Sequence, residues 1–173
     1  EYNGEIDEYF EILSKSIFLS FSIEISQDMI LALTHLFKAS NNTDFIFEEA
    51  YNFLFNHLIN SSEPVQQILF PCFSELCIHS NKSVKIHFKE IINLNYEFIS
   101  NRINLIDKAI DCLSQLSVSC RDIFTSEVNT FANFLINNFD NQHEDIQVLS
   151  LESFGKLIQF HNKQIEPLLS ELL

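Results

Sequence analysis

Four segments of the chain repeat one pattern of residues at an almost constant interval. They align without gaps when they start at Ile25, Val65, Leu105 and Ile146, so successive starts lie 40, 40 and 41 residues apart. A period of this length is typical of chains built from stacked supersecondary units, because one unit alone cannot bury its apolar face. The period therefore predicts a repeat architecture.

The aligned positions have a consistent chemistry. Position 8 is always small, position 9 large and apolar, position 10 small and position 12 leucine. These positions hold Ala32, Cys72, Cys112 and Ser153; Leu33, Phe73, Leu113 and Phe154; Thr34, Ser74, Ser114 and Gly155; and Leu36, Leu76, Leu116 and Leu157. Large residues three apart share one helix face, and small residues beside them let a neighbouring helix approach closely. Each segment is therefore predicted to be the second helix of a pair, near 27–39, 64–79, 104–118 and 144–160.

The first helices are predicted between these segments, at roughly 3–19, 44–59, 84–100 and 122–139. Phe47, Tyr51, Leu54 and Leu58 show the amphipathic spacing. The chain contains only 2 Gly and 3 Pro, which favours an all-helical fold. We expect one domain over residues 1–173: a right-handed α-solenoid of about four helical hairpins, with repeats at roughly 3–40, 44–80, 84–120 and 122–162. A fifth helix is expected to begin at 164, and the natural protein to continue beyond Leu173 with apolar stacking surface at both ends.

The formal net charge of −14 limits the classes of partner. Such a surface repels nucleic-acid phosphates and anionic membranes and attracts basic proteins. No stretch approaches the roughly 18 apolar residues that a membrane-spanning helix needs. We therefore expect protein partners with basic segments, no direct nucleic-acid binding and no membrane insertion.

The residue types of metal sites and active sites are present but not in suitable patterns. Cys72, Cys77 and His79 would lie on one helix, in directions too different for one metal ion to bind all three. There is no glycine-rich phosphate loop and no nucleophile placed beside a base. Neither catalysis nor a cofactor is expected, and cysteines without paired spacing indicate reduced thiols in a cytoplasmic or nuclear protein.

Residues off the apolar stripes of the second helices are the candidates for partner binding. They are predicted to line the concave surface of the stack: Gln67, Glu75, Asp107, Asp111 and Glu152, together with Gln27, Gln115, Lys156 and Gln159. The acidic members suit a segment rich in Lys and Arg. The alternative is that Asp107 and Asp111, which lie four residues apart, belong to a merely solvated helix face.

The period and the turn chemistry resemble the HEAT repeat. The match is strongest over 131–159, which contains Asn-Phe-Asp, a Glu-Asp-Ile-Gln turn and Leu-Glu-Ser-Phe-Gly-Lys-Leu, and nearly as strong over 51–78. The chain departs from many HEAT proteins after the first aligned residue, where Ser26, Gln66, Ile106 and Gln147 replace the usual arginine.

The irregular acidic repeats are most similar to importin-β-like (karyopherin) transport receptors. That resemblance implies a receptor that shuttles between cytoplasm and nucleus, with basic cargo and a small GTPase as partners. The alternative is a HEAT scaffold subunit of a chromosome-organising, vesicle-coat or regulatory complex.

Overall fold

The computed structural model describes residues 9–13, 15–16, 26–40, 43–80 and 82–172, and these residues form helices and turns without any strand. Residues 9–13 and 15–16 are helical. The helices that follow are α1 Gln27–Ala39, α2 Phe47–Asn60, α3 Glu63–Ile78, α4 Ser83–Asn101, α5 Ile106–Ser119, α6 Arg121–Phe124, α7 Val128–Ile136, α8 Glu144–Phe160 and α9 Asn162–Leu172. Within this part of the chain, no helix is long and apolar enough to cross a membrane.

The second helices form where the period predicts them. α1, α3 and α8 lie within one residue of the predicted bounds at each end, and α5 is preceded by a short 3₁₀ turn at Ile103–Leu105. Local chemistry fixes the starts: the Ser26 hydroxyl accepts a hydrogen bond from the Met29 amide at the start of α1. Pro64 lies in the first turn of α3, where its missing N–H costs no helical bond.

The first helices agree less closely with the prediction. Most of the predicted helix at 3–19 lies outside the described residues, and the fifth helix begins at Asn162 rather than 164. The predicted helix at 122–139 is interrupted by a turn after Phe124 and ends at Ile136. Thr125 and Ser126 donate hydroxyl hydrogen bonds back to the carbonyls of Arg121 and Ile123. Such local bonds compete with helical ones and account for the interruption.

The helices divide into two compact units, Glu1–Ile86 and His87–Leu173. In the first unit, α1 and α2 both pack on α3. Their contact buries large apolar side chains completely or nearly so, among them Leu33, Phe37, Leu54, Leu69 and Phe73. Tyr51 of α2 lies against Phe73 of α3, with ring centroids 6.0 Å apart.

Hydrogen bonds from polar residues hold the turn before α2 against its neighbours in the first unit. The Asp44 carboxylate, just before α2, accepts hydrogen bonds from the Ser80 hydroxyl (2.6 Å) and from the Lys82 (3.1 Å) and Ser83 (2.9 Å) amides. Thr43 donates its hydroxyl to the Leu76 carbonyl (2.9 Å). The turn before α2 is thereby bound to the end of α3 and the start of α4.

In the second unit, α5, α7 and α9 each pack on α8. The core between them includes Leu113, Phe124, Phe131, Leu157 and Ile165, all fully buried. The buried His161 ring, which follows α8, donates Nε2–H to the Ser117 carbonyl of α5 across 2.7 Å. This bond satisfies a carbonyl at the end of α5 that the helix itself leaves free.

The large residues at the aligned positions lie in the core of both units, and most of the small residues at position 8 are buried as well. All four residues at position 9 are buried, and so are the leucines at position 12 except Leu36, which is half-buried. At position 8, Cys72, Cys112 and Ser153 are buried, whereas Ala32 is exposed. The predicted assignment of large residues to the core is confirmed.

Gln66 and Gln147 make the same hydrogen bond in two repeats. Each side-chain amide donates to a backbone carbonyl eight residues earlier, Leu58 and Phe139 respectively. These carbonyls lie at or just beyond the ends of α2 and α7, where intrahelical partners are missing. Glutamine at this aligned position therefore joins the two helices of a hairpin in each unit.

Candidate protein-binding surface

Two of the five predicted binding residues, Gln67 and Glu75, lie on α3 in the first unit. Gln67 is exposed and Glu75 is partly buried. The Glu75 carboxylate lies 3.2 Å from Nε2 of His79, one turn further along. Glu75 therefore has a partner within its own helix. Gln27 is exposed at the start of α1.

The other three residues, Asp107, Asp111 and Glu152, belong to the second unit. Asp107 and Asp111 are partly exposed on α5, and Glu152 is exposed on α8. The Asp107 side chain is 49% exposed and accepts a hydrogen bond from the neighbouring Lys108 at 3.2 Å. The accompanying polar residues of this unit are also accessible: Gln159 is exposed, and Gln115 and Lys156 are partly buried.

An open pocket lies where the beginnings of α5 and α8 meet. It has a volume of about 240 Å³ and is lined by Ile103, Asn104, Asp107, His143, Asp145 and Ile146. Ile146 is buried, whereas Ile103 is 62% exposed. The pocket therefore combines an apolar surface with two carboxylates from different helices.

The positions of the two carboxylates have a local structural cause. Asp107 lies in the first turn of α5 and Asp145 in the first turn of α8. Negative groups there interact favourably with the positive end of the helix dipole. The same placement leaves two acidic groups at one pocket. A Lys or Arg side chain suits such a pocket, because its methylenes can contact Ile103 while its cationic head meets carboxylates.

The structure brings together only part of the predicted set. Asp107 lines the pocket, whereas Asp111 and Glu152 lie outside its lining. Asp145, Asn104 and His143 were not predicted as binding residues from the sequence. The alignment contained a usable signal, since Asn104 and Asp145 occupy the same position, immediately before the first aligned residue.

The remaining reactive groups do not assemble into a chemical site. No group of three or more His, Cys, Asp or Glu residues suited to a metal ion occurs in the part of the chain that the structure describes. All four cysteines are buried and none of them is in a disulfide. Burial raises the pKa of the Cys72 thiol to about 12, so at neutral pH it is a protonated, packed side chain.

Comparison with protein-family models, with curated proteins and with solved structures finds no match to this chain.

Proposed function

We propose that this chain is a protein-binding helical-repeat scaffold, a right-handed solenoid of HEAT type, whose acidic surface binds a basic segment of another protein. The observation that carries the proposal is the pocket in which Asp107 and Asp145 adjoin Ile103 and Ile146. A lysine or arginine bound there gains charge-assisted hydrogen bonds and covers apolar surface. The net charge of −14 favours association with basic partners over a longer range.

Helix packing within each unit supports the repeat interpretation. α1 packs on α3, and α5 packs on α8, so helices one period apart are neighbours in both units. Gln66 and Gln147 repeat the same hairpin bond in two different units. In a solenoid, such second helices line the concave surface, which is where Asp107, Asp111 and Glu152 are proposed to bind.

The proposal can be tested by fluorescence anisotropy with a labelled peptide rich in Lys and Arg. Changing Asp107, Asp111 and Asp145 to Lys, which reverses both carboxylates of the pocket and one a turn further along α5, should lower the affinity about tenfold or more, equivalent to about 1.4 kcal/mol. Binding to the parent chain should also weaken steeply as salt rises, because exposed charges are screened beyond roughly 8 Å at physiological ionic strength.

A matched control separates local recognition from net charge. Glu97, Asp140 and Glu166 are exposed in the same unit, and reversing all three to Lys changes the net charge by the same amount. This control should lose much less affinity than the first triple variant. Equal losses would show non-specific attraction, and unchanged binding by the first variant would contradict the acidic-surface proposal.

The resemblance to importin-β-like receptors makes the proposal more specific. It implies that the partners are basic cargo and a small GTPase and that the protein acts in the cytoplasm and nucleus. The alternative remains a HEAT scaffold of a multiprotein assembly, in which the acidic residues mainly provide solubility. Binding of a GTP-loaded transport GTPase to the protein would favour the receptor interpretation, and failure to bind would favour the assembly-subunit interpretation.

A further inference from the structure

The pocket at the beginnings of α5 and α8 is small and partly apolar. Its volume of about 240 Å³ is below the roughly 300–1,000 Å³ of pockets that hold drug-sized molecules. Ile103, which belongs to its lining, is 62% exposed. A pocket of this volume suits one long side chain of a partner protein better than a free organic ligand. The charged groups around the pocket then decide which side chain it accepts.

The two carboxylates of the pocket belong to different helices. Asp107 of α5 lies two residues after Leu105 and Asp145 of α8 lies directly before Ile146, and both of these apolar neighbours are buried. The packing of α5 on α8 therefore fixes the backbone at each carboxylate. Two negative groups also repel each other, which opposes their convergence on a single atom of a ligand. A cation with donors on several atoms can meet both carboxylates at a lower cost in free energy than a cation with all its donors on one atom.

A lysine of the chain already neutralises part of this negative charge. Nζ of Lys108 lies 3.2 Å from Oδ2 of Asp107, whose side chain is 49% exposed. A second ammonium group at the same carboxylate has the Lys108 charge as a close neighbour, and like charges repel. A positive charge that is spread over several atoms extends towards Asp145 as well, which offsets that repulsion. Lys108 thus disfavours a compact cation in the pocket.

Arginine and lysine side chains differ in the properties on which these features act. The guanidinium group of arginine carries five N–H donors on three nitrogens in one plane, whereas the lysine ammonium group carries three donors on one nitrogen. Guanidinium is also less strongly hydrated than ammonium, so it loses less hydration beside an apolar side chain such as Ile103. Both differences favour arginine in this pocket.

We propose that this pocket selects arginine over lysine: one guanidinium group bridges Asp107 and Asp145 while the methylenes of the same side chain cover Ile103. The inference rests on the proposed function and makes it more specific, because it identifies the residue of the basic segment that the pocket recognises. It also identifies a modification that controls binding. Methylation of that arginine keeps its charge but removes N–H donors, and should therefore weaken the complex.

Three labelled peptides of equal charge test the preference by fluorescence anisotropy at low salt. The first has four Arg-Ser units, the second has four Lys-Ser units, and in the third each arginine of the first is symmetrically dimethylated. The arginine peptide should bind about fivefold more tightly than the lysine peptide, a difference of the size that one exposed ion pair contributes. The dimethylated peptide should bind about as weakly as the lysine peptide, because it keeps the charge but loses a donor on both terminal nitrogens.

Variants of the chain assign the preference to the pocket. Asp145→Asn keeps the shape of the side chain and removes its charge, so the ratio of the two dissociation constants should fall from about five to about one. Asp107→Asn removes the other carboxylate and should have the same effect. Asp140→Asn is the matched control, since Asp140 is an exposed carboxylate of the same unit outside the pocket lining, and the ratio should not change. All three positions are exposed or partly exposed, so circular dichroism should match the parent chain.

The outcomes separate this inference from the proposed function. Equal binding of the arginine and lysine peptides, with both weakened by Asp145→Asn, would overturn the arginine preference and leave a surface for basic segments in general. A preference that persists in both Asp145→Asn and Asp107→Asn would also overturn the inference, because the selection would then arise elsewhere on the chain. Failure of both peptides to bind at low salt would overturn the inference together with the proposed function.

Discussion

Asp44 joins two turns that lie almost forty residues apart in the sequence. Its carboxylate accepts hydrogen bonds from Ser80, Lys82 and Ser83 and so serves as the N-terminal cap of α4. The sequence analysis did not predict this bond, because local capping patterns concern residues within one turn of the helix. A cap supplied from the preceding hairpin becomes visible only when the hairpins are packed.

Removing the Asp44 carboxylate should destabilise the first unit. Asp44→Ala leaves the Ser80 hydroxyl and two amides without their acceptor, at a cost of about 1–3 kcal/mol in the free energy of unfolding. Urea denaturation at pH 7 measures the loss. Asp140→Ala, which removes a carboxylate from an exposed turn, is the control and should change the free energy by less than about 0.5 kcal/mol. Equal effects of the two substitutions would contradict the role of Asp44.

The contribution of Asp44 should also depend on pH. Burial raises the pKa of Asp44, but the hydrogen bonds from Ser80, Ser83 and Lys82 outweigh it and lower the pKa below its usual value of 3.8. A lowered pKa in the folded state means that the stabilisation is present above the unfolded pKa and is lost as pH falls through the folded pKa. The difference between the parent and Asp44→Ala should therefore shrink in urea denaturation below about pH 4.

Cys72 should react slowly with thiol reagents in the native state. Burial raises its pKa from 9.0 to about 12, so almost no thiolate forms at pH 8, and the side chain is inaccessible. We expect little labelling of the parent chain at pH 8 and labelling of all four cysteines in urea. Ser126→Cys, in an exposed turn, should add one rapidly labelled thiol. Fast labelling of Cys72 in the native state would contradict its burial on α3.

At the scale of helices, the residues that recur at equivalent positions of the repeat predicted the helix bounds better than local capping and turn residues did. The bounds of α1, α3 and α8 follow from large residues that recur every forty residues and lie in the core. The interruption between α6 and α7 was missed, because Thr125 and Ser126 are compatible with an exposed helix until their hydroxyls bond to the backbone. Only one carboxylate of the pocket was predicted from the sequence. Asp107 was expected at a binding surface, but its proximity to Asp145 depends on how α5 packs on α8.

Removing the Phe154 side chain should destabilise the second unit. It is 7% exposed and packs edge-to-face on Phe139, with ring centroids 5.4 Å apart. Phe154→Ala should lower the free energy of unfolding by about 3–5 kcal/mol, because it removes a buried ring and leaves a cavity. Val148→Ala, on an exposed part of the same helix, should cost less than about 0.5 kcal/mol.

Amide hydrogen exchange locates the damage from Phe154→Ala. Stability in a repeat array is the sum of local and nearest-neighbour contributions, so protection should fall first in α7 and α8. Amides of α1 and α2 should keep their protection. Uniform loss across both units would show one cooperative core, and undiminished protection in α8 would show that Phe154 does not support its helix.

At the scale of the whole molecule, the proposed function is that repeated helical hairpins present an acidic surface to a protein partner. The glutamines at positions 66 and 147 illustrate what the sequence could indicate: they were recognised as departures from the HEAT pattern, but not as donors to the preceding helix. The net charge was informative about binding partners without any knowledge of the packing, because a charge of −14 favours basic partners in any arrangement of the helices. The partner's identity is not encoded in any motif of the chain.

A chemical-shift titration of the isotopically labelled chain with a peptide rich in Lys and Arg shows whether the surface around the pocket binds a basic segment. We expect the largest amide shifts on the residues around the pocket, at 103–111 and 143–146, with smaller shifts near Glu152. Those shifts should diminish as salt is added, since the interaction is electrostatic. Shifts spread evenly over exposed acidic residues, or the absence of binding at low salt, would contradict the claim that this surface recognises a basic segment.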